Sequence, residues 1–106
     1  NHDVLVRFTR ALQKAADYRN SNIEEVAGWV AKQCEVDADT MKATVGEGNW
    51  TITSDFLGKA LEDGTIKTYY ENQQQVFIDG GRLTDKVDVN NYVLFDIMKE
   101  ANEANK

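Results

Sequence analysis

The sequence predicts an all-α fold of about six helices, and three observations support this. Proline is absent from the 106 residues, although it makes up about 5% of an average chain, so no residue of that kind interrupts a helix. Apolar residues recur at spacings of three and four along most of the chain. Glycine and asparagine separate these periodic stretches, where helices commonly end. We expect residues 1–106 to form a single helical domain.

Two apolar stripes predict the first two helices. The first covers about residues 3–19 and carries Val4, Leu5, Phe8, Leu12, Ala15 and Ala16. Ser21 and Glu24 then have the spacing of a capping box, in which each side chain accepts a bond from the other residue's amide. The helix that this box would open carries Ile23, Val26, Ala27, Val30, Ala31 and Cys34. We expect Cys34 to be buried as a small hydrophobic residue.

Two shorter helices follow. Asp37 can cap a third helix, which glycines and Asn49 end at residues 46–49. Residues 50–53 alternate like a strand but are too few, so an extended connector is expected. Thr53, Ser54 or Asp55 can cap the fourth helix, whose apolar residues are Phe56, Leu57, Ala60 and Leu61. Gly64 is expected to end it in the left-handed conformation.

The last two helices flank a short loop. The fifth begins at Thr65 and ends at residues 80–81, both glycine, and residues 82–87 form the loop. Asp88 is expected to cap the sixth helix. One face of this helix carries Val89, Val93, Ile97 and Ala101, and neighbouring apolar residues widen the stripe. Residues 101–106 are expected to fray.

Charge and composition argue against several classes of function. The 12 basic and 18 acidic side chains give a net charge of −6, which opposes binding to nucleic acid. The one histidine, His2, is expected to be a disordered spectator at the terminus. Acidic pairs occur at Glu24-Glu25, Asp37/Asp39 and Glu62-Asp63. Their places at helix ends indicate capping, so we expect no enzyme, no metal site and no cofactor.

The aromatic side chains are expected to lie mainly in the core. Trp50 is the exception, because it stands in the connector between glycines and a helix cap. Aromatic residues in loops line pockets and interfaces more often than those in helix stripes. Trp50 is therefore the one predicted ligand-binding residue.

Three stretches of the chain resemble a known family. Phe8, Ala11, Lys14 and Ala15 stand at the positions of a "Phe-x-x-Ala-x-x-Lys-Ala" helix. Residues 22–27 are similar to its next helix, usually Asn-Pro-Glu-Glu-Ala, with isoleucine replacing the proline. The family's closing run is "Phe-x-x-x-Gly-Lys-Leu … Val-Asp … Tyr-Val". Residues 77–83, 87–88 and 92–93 follow this order, with arginine in place of the lysine.

The family is that of periplasmic solute-binding proteins of nitrate, sulfonate and taurine ABC importers, including the related thiamine-precursor binders. The resemblance implies that the chain is the C-terminal helical part of a two-lobe α/β (type II) binding protein. It implies a small-molecule solute, an ABC permease as partner, and domain closure without chemistry. It also implies a periplasmic location or an extracytoplasmic lipoprotein.

The residues leave a second interpretation open, a self-contained helical protein-interaction domain. A fragment would expose a large apolar patch where its missing strands pack, and a homo-oligomer could cover that patch. A self-contained domain would instead have a closed core and a groove for a partner helix.

Overall fold

The computed structural model describes residues 1–45 and 53–106, and this part of the chain contains six α-helices and no strand. The helices are α1 (His2–Ser21), α2 (Ile23–Cys34), α3 (Ala38–Val45), α4 (Ser54–Glu62), α5 (Thr65–Asp79) and α6 (Phe95–Ala104). A 3₁₀ turn, Val89–Asn91, precedes α6. The predicted all-α fold is confirmed. Most of the predicted connector, residues 50–52, lies outside the described residues, as do the glycines before it.

The first and last helices form the central pair of the fold. α1 packs along α6, and α4 contacts both of them as well as α5. α2 and α3 pack against each other, and α2 also contacts α1. The chain therefore brings its two ends together, and the middle helices extend from this pair.

The core is thin and built from small side chains. The buried hydrophobic residues among those described are Val6, Ala27, Ala31, Ala60, Val89, Val93, Ile97 and Ala101. Val89, at 2% exposure, is the largest fully buried side chain of the described residues. All four residues of the stripe predicted for the sixth helix are in this set, although only Ile97 and Ala101 lie in the observed α6.

Several predicted helix ends are confirmed. The Asp37 carboxylate accepts from the Thr40 amide at 2.8 Å, and the Thr53 hydroxyl accepts from the Phe56 amide at 3.1 Å. Gly64 adopts a left-handed conformation with φ of +82° between α4 and α5. The Asp37 and Thr53 oxygens pair with helix amides that would otherwise lack a partner. The left-handed Gly64 lets the chain turn from α4 into α5.

The predicted capping box at Ser21 is wrong. Ser21 is the last residue of α1, and Asn22 alone separates α1 from α2. The Asn22 side chain donates to the Tyr18 carbonyl at 2.9 Å and does not cap α2. A residue with helical backbone cannot serve as the extended N-cap that a capping box requires, which explains why Ser21 has no such role.

The start of the last helix also differs from the prediction. Asp88 caps the 3₁₀ turn, where its carboxylate accepts from the Asn90 amide at 3.0 Å, and α6 begins only at Phe95. Gln74 of α5 forms hydrogen bonds with the Val87 backbone and the Tyr92 hydroxyl. These bonds hold residues 87–92 against α5. The chain therefore bends here before it enters α6.

The C-terminal residues do not fray as predicted. The α6 helix continues to Ala104, and Asn102 is buried. The Arg10 guanidinium donates to the Ala104 carbonyl and to the Asn105 side chain, both at 3.2 Å. The Asn105 amide donates back to the Arg10 carbonyl at 3.2 Å. These bonds to α1 order the end of the chain.

Two further residues lie in environments that the sequence did not predict. Cys34 is exposed, because α2 buries only Ala27 and Ala31 and the chain turns away at Glu35 in a left-handed conformation. His2 belongs to α1, and its Nε2 atom is hydrogen-bonded to the Glu100 carboxylate of α6. The expectation of a disordered spectator is wrong, since His2 takes part in the α1–α6 pairing.

Candidate functional site

Trp50, the one predicted ligand-binding residue, lies outside the described residues, so its role stays a prediction. The site must therefore be sought in the surfaces that the described helices form. Three features stand out there: exposed acidic groups, a polar junction between helices, and an apolar face on α1.

Three exposed carboxylates have a neighbouring hydrogen-bond donor that lowers their pKa. A hydrogen bond and the charge of Lys42 lower the pKa of Glu24, whose Oε1 atom lies 2.5 Å from the Lys42 Nζ. Hydrogen bonds from Thr40 lower the pKa of Asp37, and hydrogen bonds from Thr65 lower that of Asp63. These shifts favour the charged carboxylates, as expected for caps and ion pairs.

Metal-ligating side chains do not cluster within residues 1–45 and 53–106. Membrane-spanning character is likewise missing from the helices of these ranges, since none has both the length and the apolar composition that a bilayer requires.

A polar junction fixes α4 between α1 and α6. The Ser54 amide and hydroxyl donate to the two oxygens of the Asp17 carboxylate, at 2.7 and 2.5 Å. The buried Asn102 side chain donates to the Ser54 carbonyl at 2.8 Å. A Cβ atom on Gly58 would lie 2.8 Å from the Asn102 Oδ1, so this glycine permits the close approach of α4 and α6. The junction is a structural element that sets the angle of α4.

A second polar contact holds the loop before the 3₁₀ turn. The Gln74 amide donates to the Val87 carbonyl at 2.8 Å and to the Tyr92 hydroxyl at 2.9 Å. Its carbonyl accepts from the Val87 amide at 2.8 Å. Gln74 is buried, whereas its neighbour Gln73 is exposed. This contact positions Tyr92 beside α1.

An uncovered apolar surface runs along α1 and the segment before α6. We call it the α1 apolar face; it consists of Leu5, Phe8, Leu12, Tyr92 and Leu94, all exposed. Phe8 and Leu12 keep 62% and 55% of their accessible surface. Leu5, Leu12, Tyr92 and Leu94 also line a groove of about 370 Å³, which Tyr70 and Met98 help to form.

The α1 apolar face belongs to the stripe that predicted α1, and α6 packs on a neighbouring side of the helix instead. Val6 and Gln13 are the buried residues of α1. They follow Leu5 and Leu12 by one position, which places them about 100° further round the helix. The buried side of α1 therefore lies beside the predicted stripe, and Leu5, Phe8 and Leu12 of that stripe stay exposed. The stripe was the sequence signal for this surface.

The prediction that aromatic side chains fill the core is mostly wrong for the described residues. Trp29 is 57% exposed and stacks on the exposed Tyr18, with ring centroids 6.0 Å apart. Tyr69, Phe77 and Tyr92 are exposed too. Tyr70 and Phe95 are half-buried, and their rings meet edge to face at 6.2 Å.

The chain exposes more surface than a compact protein of its mass. Its accessible surface is 7609 Å², whereas a folded monomer of 12.0 kDa exposes about 6000 Å². Its radius of gyration is 16.6 Å, whereas about 13 Å is typical at this length. The excess surface, about 1600 Å², accompanies a thin core in which large apolar side chains of the described helices stay exposed.

Comparison with known proteins gives one group of relatives. The chain is 26% identical over 96 residues to proteins of Brucella abortus, Brucella suis and Brucella melitensis whose names describe them provisionally as binding proteins. The alignment covers 91% of this chain and 30% of each relative. The chain thus spans about a third of the length of the curated relatives that it matches.

No protein-family profile matches the chain. No solved structure matches it either.

Proposed function

We propose that this chain is the C-terminal helical part of an ABC-importer solute-binding protein of the nitrate, sulfonate and taurine type. The complete protein would bind its solute between two lobes and close over it, without a covalent step, before it meets the permease. It would act in the periplasm or as an extracytoplasmic lipoprotein. The proposal rests on an alignment with proteins named as binding proteins. This alignment covers 91% of the present chain and 30% of the length of each relative.

The thin core supports a part of a larger protein over a self-contained interaction domain. An independent domain of this size is expected to bury most of its large apolar side chains. Here Phe8, Leu12 and Trp29 are exposed, and Val89 is the largest fully buried side chain of the described residues. A helical adaptor with a closed core would not leave so many of its largest apolar groups in water.

Solute binding by the complete translation product of the gene tests the proposal. We expect one solute among nitrate, taurine, an alkanesulfonate and a pyrimidine thiamine precursor to raise its melting temperature. At a solute concentration 100 times Kd, the stabilisation is about 2.7 kcal/mol. The solute should be recovered unchanged after incubation. A melting temperature that no solute in this panel alters, or consumption of the solute, would contradict the proposal.

Trp50 can be tested in the same protein. If Trp50 lines the solute cleft, Trp50→Ala should weaken solute binding by roughly 2- to 10-fold, the value of one aromatic contact. Trp29→Ala is the matched control, because Trp29 is exposed on α2 and stacks only on Tyr18 among the described rings. Equal solute affinities of the two variants and the parent protein would remove Trp50 from the site.

A further inference from the structure

We infer that the α1 apolar face is the docking surface for the remainder of the binding-protein chain, an inference that rests on the proposed function. The face is formed by Leu5, Phe8, Leu12, Tyr92 and Leu94. The occupant is thus a segment of the same polypeptide, and the contact is intramolecular.

Two neighbouring sides of α1 differ in burial. The side that carries Val6 and Gln13 is already buried against the rest of this chain, and the Gln13 amide donates to the Met98 carbonyl of α6 at 3.2 Å. The side that carries Leu5, Phe8 and Leu12 is exposed. Three large apolar residues at spacings of three and four form a continuous surface, which water covers only at a cost in free energy.

The size of the uncovered surface suits a stable contact. The chain exposes about 1600 Å² more than a compact monomer of its mass. One partner in a standard stable interface buries about 800 Å². The excess over the whole chain is about twice that area, and the α1 apolar face is part of the exposed surface.

The length of the relatives identifies the occupant. The chain matches only 30% of each relative, so a protein of that length has further segments of its own chain that can occupy this face. A covalently linked segment has an effective concentration in the millimolar range. It will therefore occupy an apolar face ahead of a second copy present at micromolar concentration.

Thiol labelling can test which surface is covered. In a Cys34→Ser background, which removes the exposed native thiol, we would introduce Phe8→Cys or, as a control, Lys14→Cys. Lys14 is exposed on another side of α1, about 120° from Phe8 at 100° per residue. The labelling rate is measured in the 106-residue chain at low concentration and in the complete translation product. Circular dichroism and thermal melting confirm that each variant is folded.

We expect the thiol at position 8 to react at least tenfold more slowly in the complete protein, and the thiol at position 14 to react equally fast in both. Equal rates at position 8 would overturn the inference. Slow labelling in the 106-residue chain that depends on its concentration would assign the face to a second copy, and would overturn it too. A gene that encodes no further residues would have the same consequence.

The thermal-shift assay on the same sample separates this inference from the proposed function. A melting temperature raised by solute together with a reactive thiol at position 8 would leave the function in place and reject the docking surface. A protected thiol with no response to any solute would reject the function alone.

Discussion

Two glycines show how one residue type has opposite consequences at two positions. A Cβ atom on Gly58 would lie 2.8 Å from the Asn102 Oδ1, and Asn102 is buried and bonded to the Ser54 carbonyl. Asn102 cannot move away without losing that bond. A Cβ atom on Gly28 has no neighbour within 4 Å. Among the described residues, therefore, nothing packs where a Gly28 side chain would lie, and the glycine lowers the helix propensity of α2.

This contrast gives opposite signs for the same substitution. Gly58→Ala should lower the free energy of unfolding by about 1–3 kcal/mol, as overpacking does. Gly28→Ala should raise it by about 0.5–1 kcal/mol, because alanine has the higher helix propensity. Urea unfolding followed by circular dichroism measures both. A Gly58→Ala variant as stable as the parent chain would mean that α4 and α6 do not approach this closely.

Gln74 is a buried polar residue whose bonds decide the path of the following loop. Gln74→Met keeps the side chain's size but leaves the Val87 backbone and the Tyr92 hydroxyl without their partner. We expect a loss of about 1–2 kcal/mol in unfolding free energy, since unmade hydrogen bonds are costly. Gln73→Met on the exposed neighbour should change it by less than about 0.5 kcal/mol. Similar losses of unfolding free energy in the two variants would mean that the bonds from Gln74 to Val87 and Tyr92 do not stabilise the loop.

At the scale of the helices, the sequence predicted where most elements lie because local signals decide them. Asp37, Thr53 and Gly64 act within one turn of their own positions, so their roles could be predicted without knowledge of the fold. Ser21 and Asp88 were misassigned because distant contacts compete there: α1 continues through Ser21, and Gln74 holds the chain after Asp88 in a bend. Contacts across many residues are not visible in a local pattern.

The Asp37 cap predicts an acid-sensitive third helix. Hydrogen bonds from Thr40 hold the pKa of Asp37 below its ordinary value, so the folded state favours the charged carboxylate. The cap's contribution is complete above the unfolded pKa of about 3.9, and it is lost as the pH falls through the lower folded value. Exchange of the Thr40 amide, followed by NMR, should accelerate at those pH values.

Asp37→Asn serves as the control for that experiment. Asparagine also caps helices but does not titrate, so the Thr40 amide should stay protected through the same acid range. The Thr40 amide is a local reporter, which matters because Glu24 also has a lowered pKa, from Lys42. Acid-induced exchange in both proteins would assign the effect to another group.

At the scale of the whole molecule, the candidate site was predictable only in part. The apolar stripe of α1 was visible in the sequence, but its exposure follows from where α6 packs, which is on the side of Val6 and Gln13. Trp50 was selected from its loop position, and it stays a prediction. The burial of the aromatic residues was misjudged because a stripe shows that a helix has an apolar side, without showing that a partner for that side is present.

The uncovered surface predicts how the 106-residue chain behaves alone. Phe8→Gln combined with Leu12→Gln should reduce the fluorescence of a bound apolar dye, since both residues belong to the α1 apolar face. Exposed positions contribute little to stability, so the unfolding free energy should change by less than about 1 kcal/mol. Val89→Gln, at a buried position, is the contrasting control and should destabilise the chain strongly. Unchanged dye fluorescence in the double variant would mean that the dye binds a surface other than the α1 apolar face.

The pairing of α1 with α6 also affects how the chain is made. The bond between His2 and Glu100 joins positions 98 residues apart. A ribosome adds about 5–20 residues per second, so α1 emerges roughly 5–20 s before the helix that covers Val6. Val6 and the apolar stripe beside it both face water during that interval. The nascent chain thus offers α1 as a binding segment for a holding chaperone, and release must wait until the final turn of α6 has left the exit tunnel.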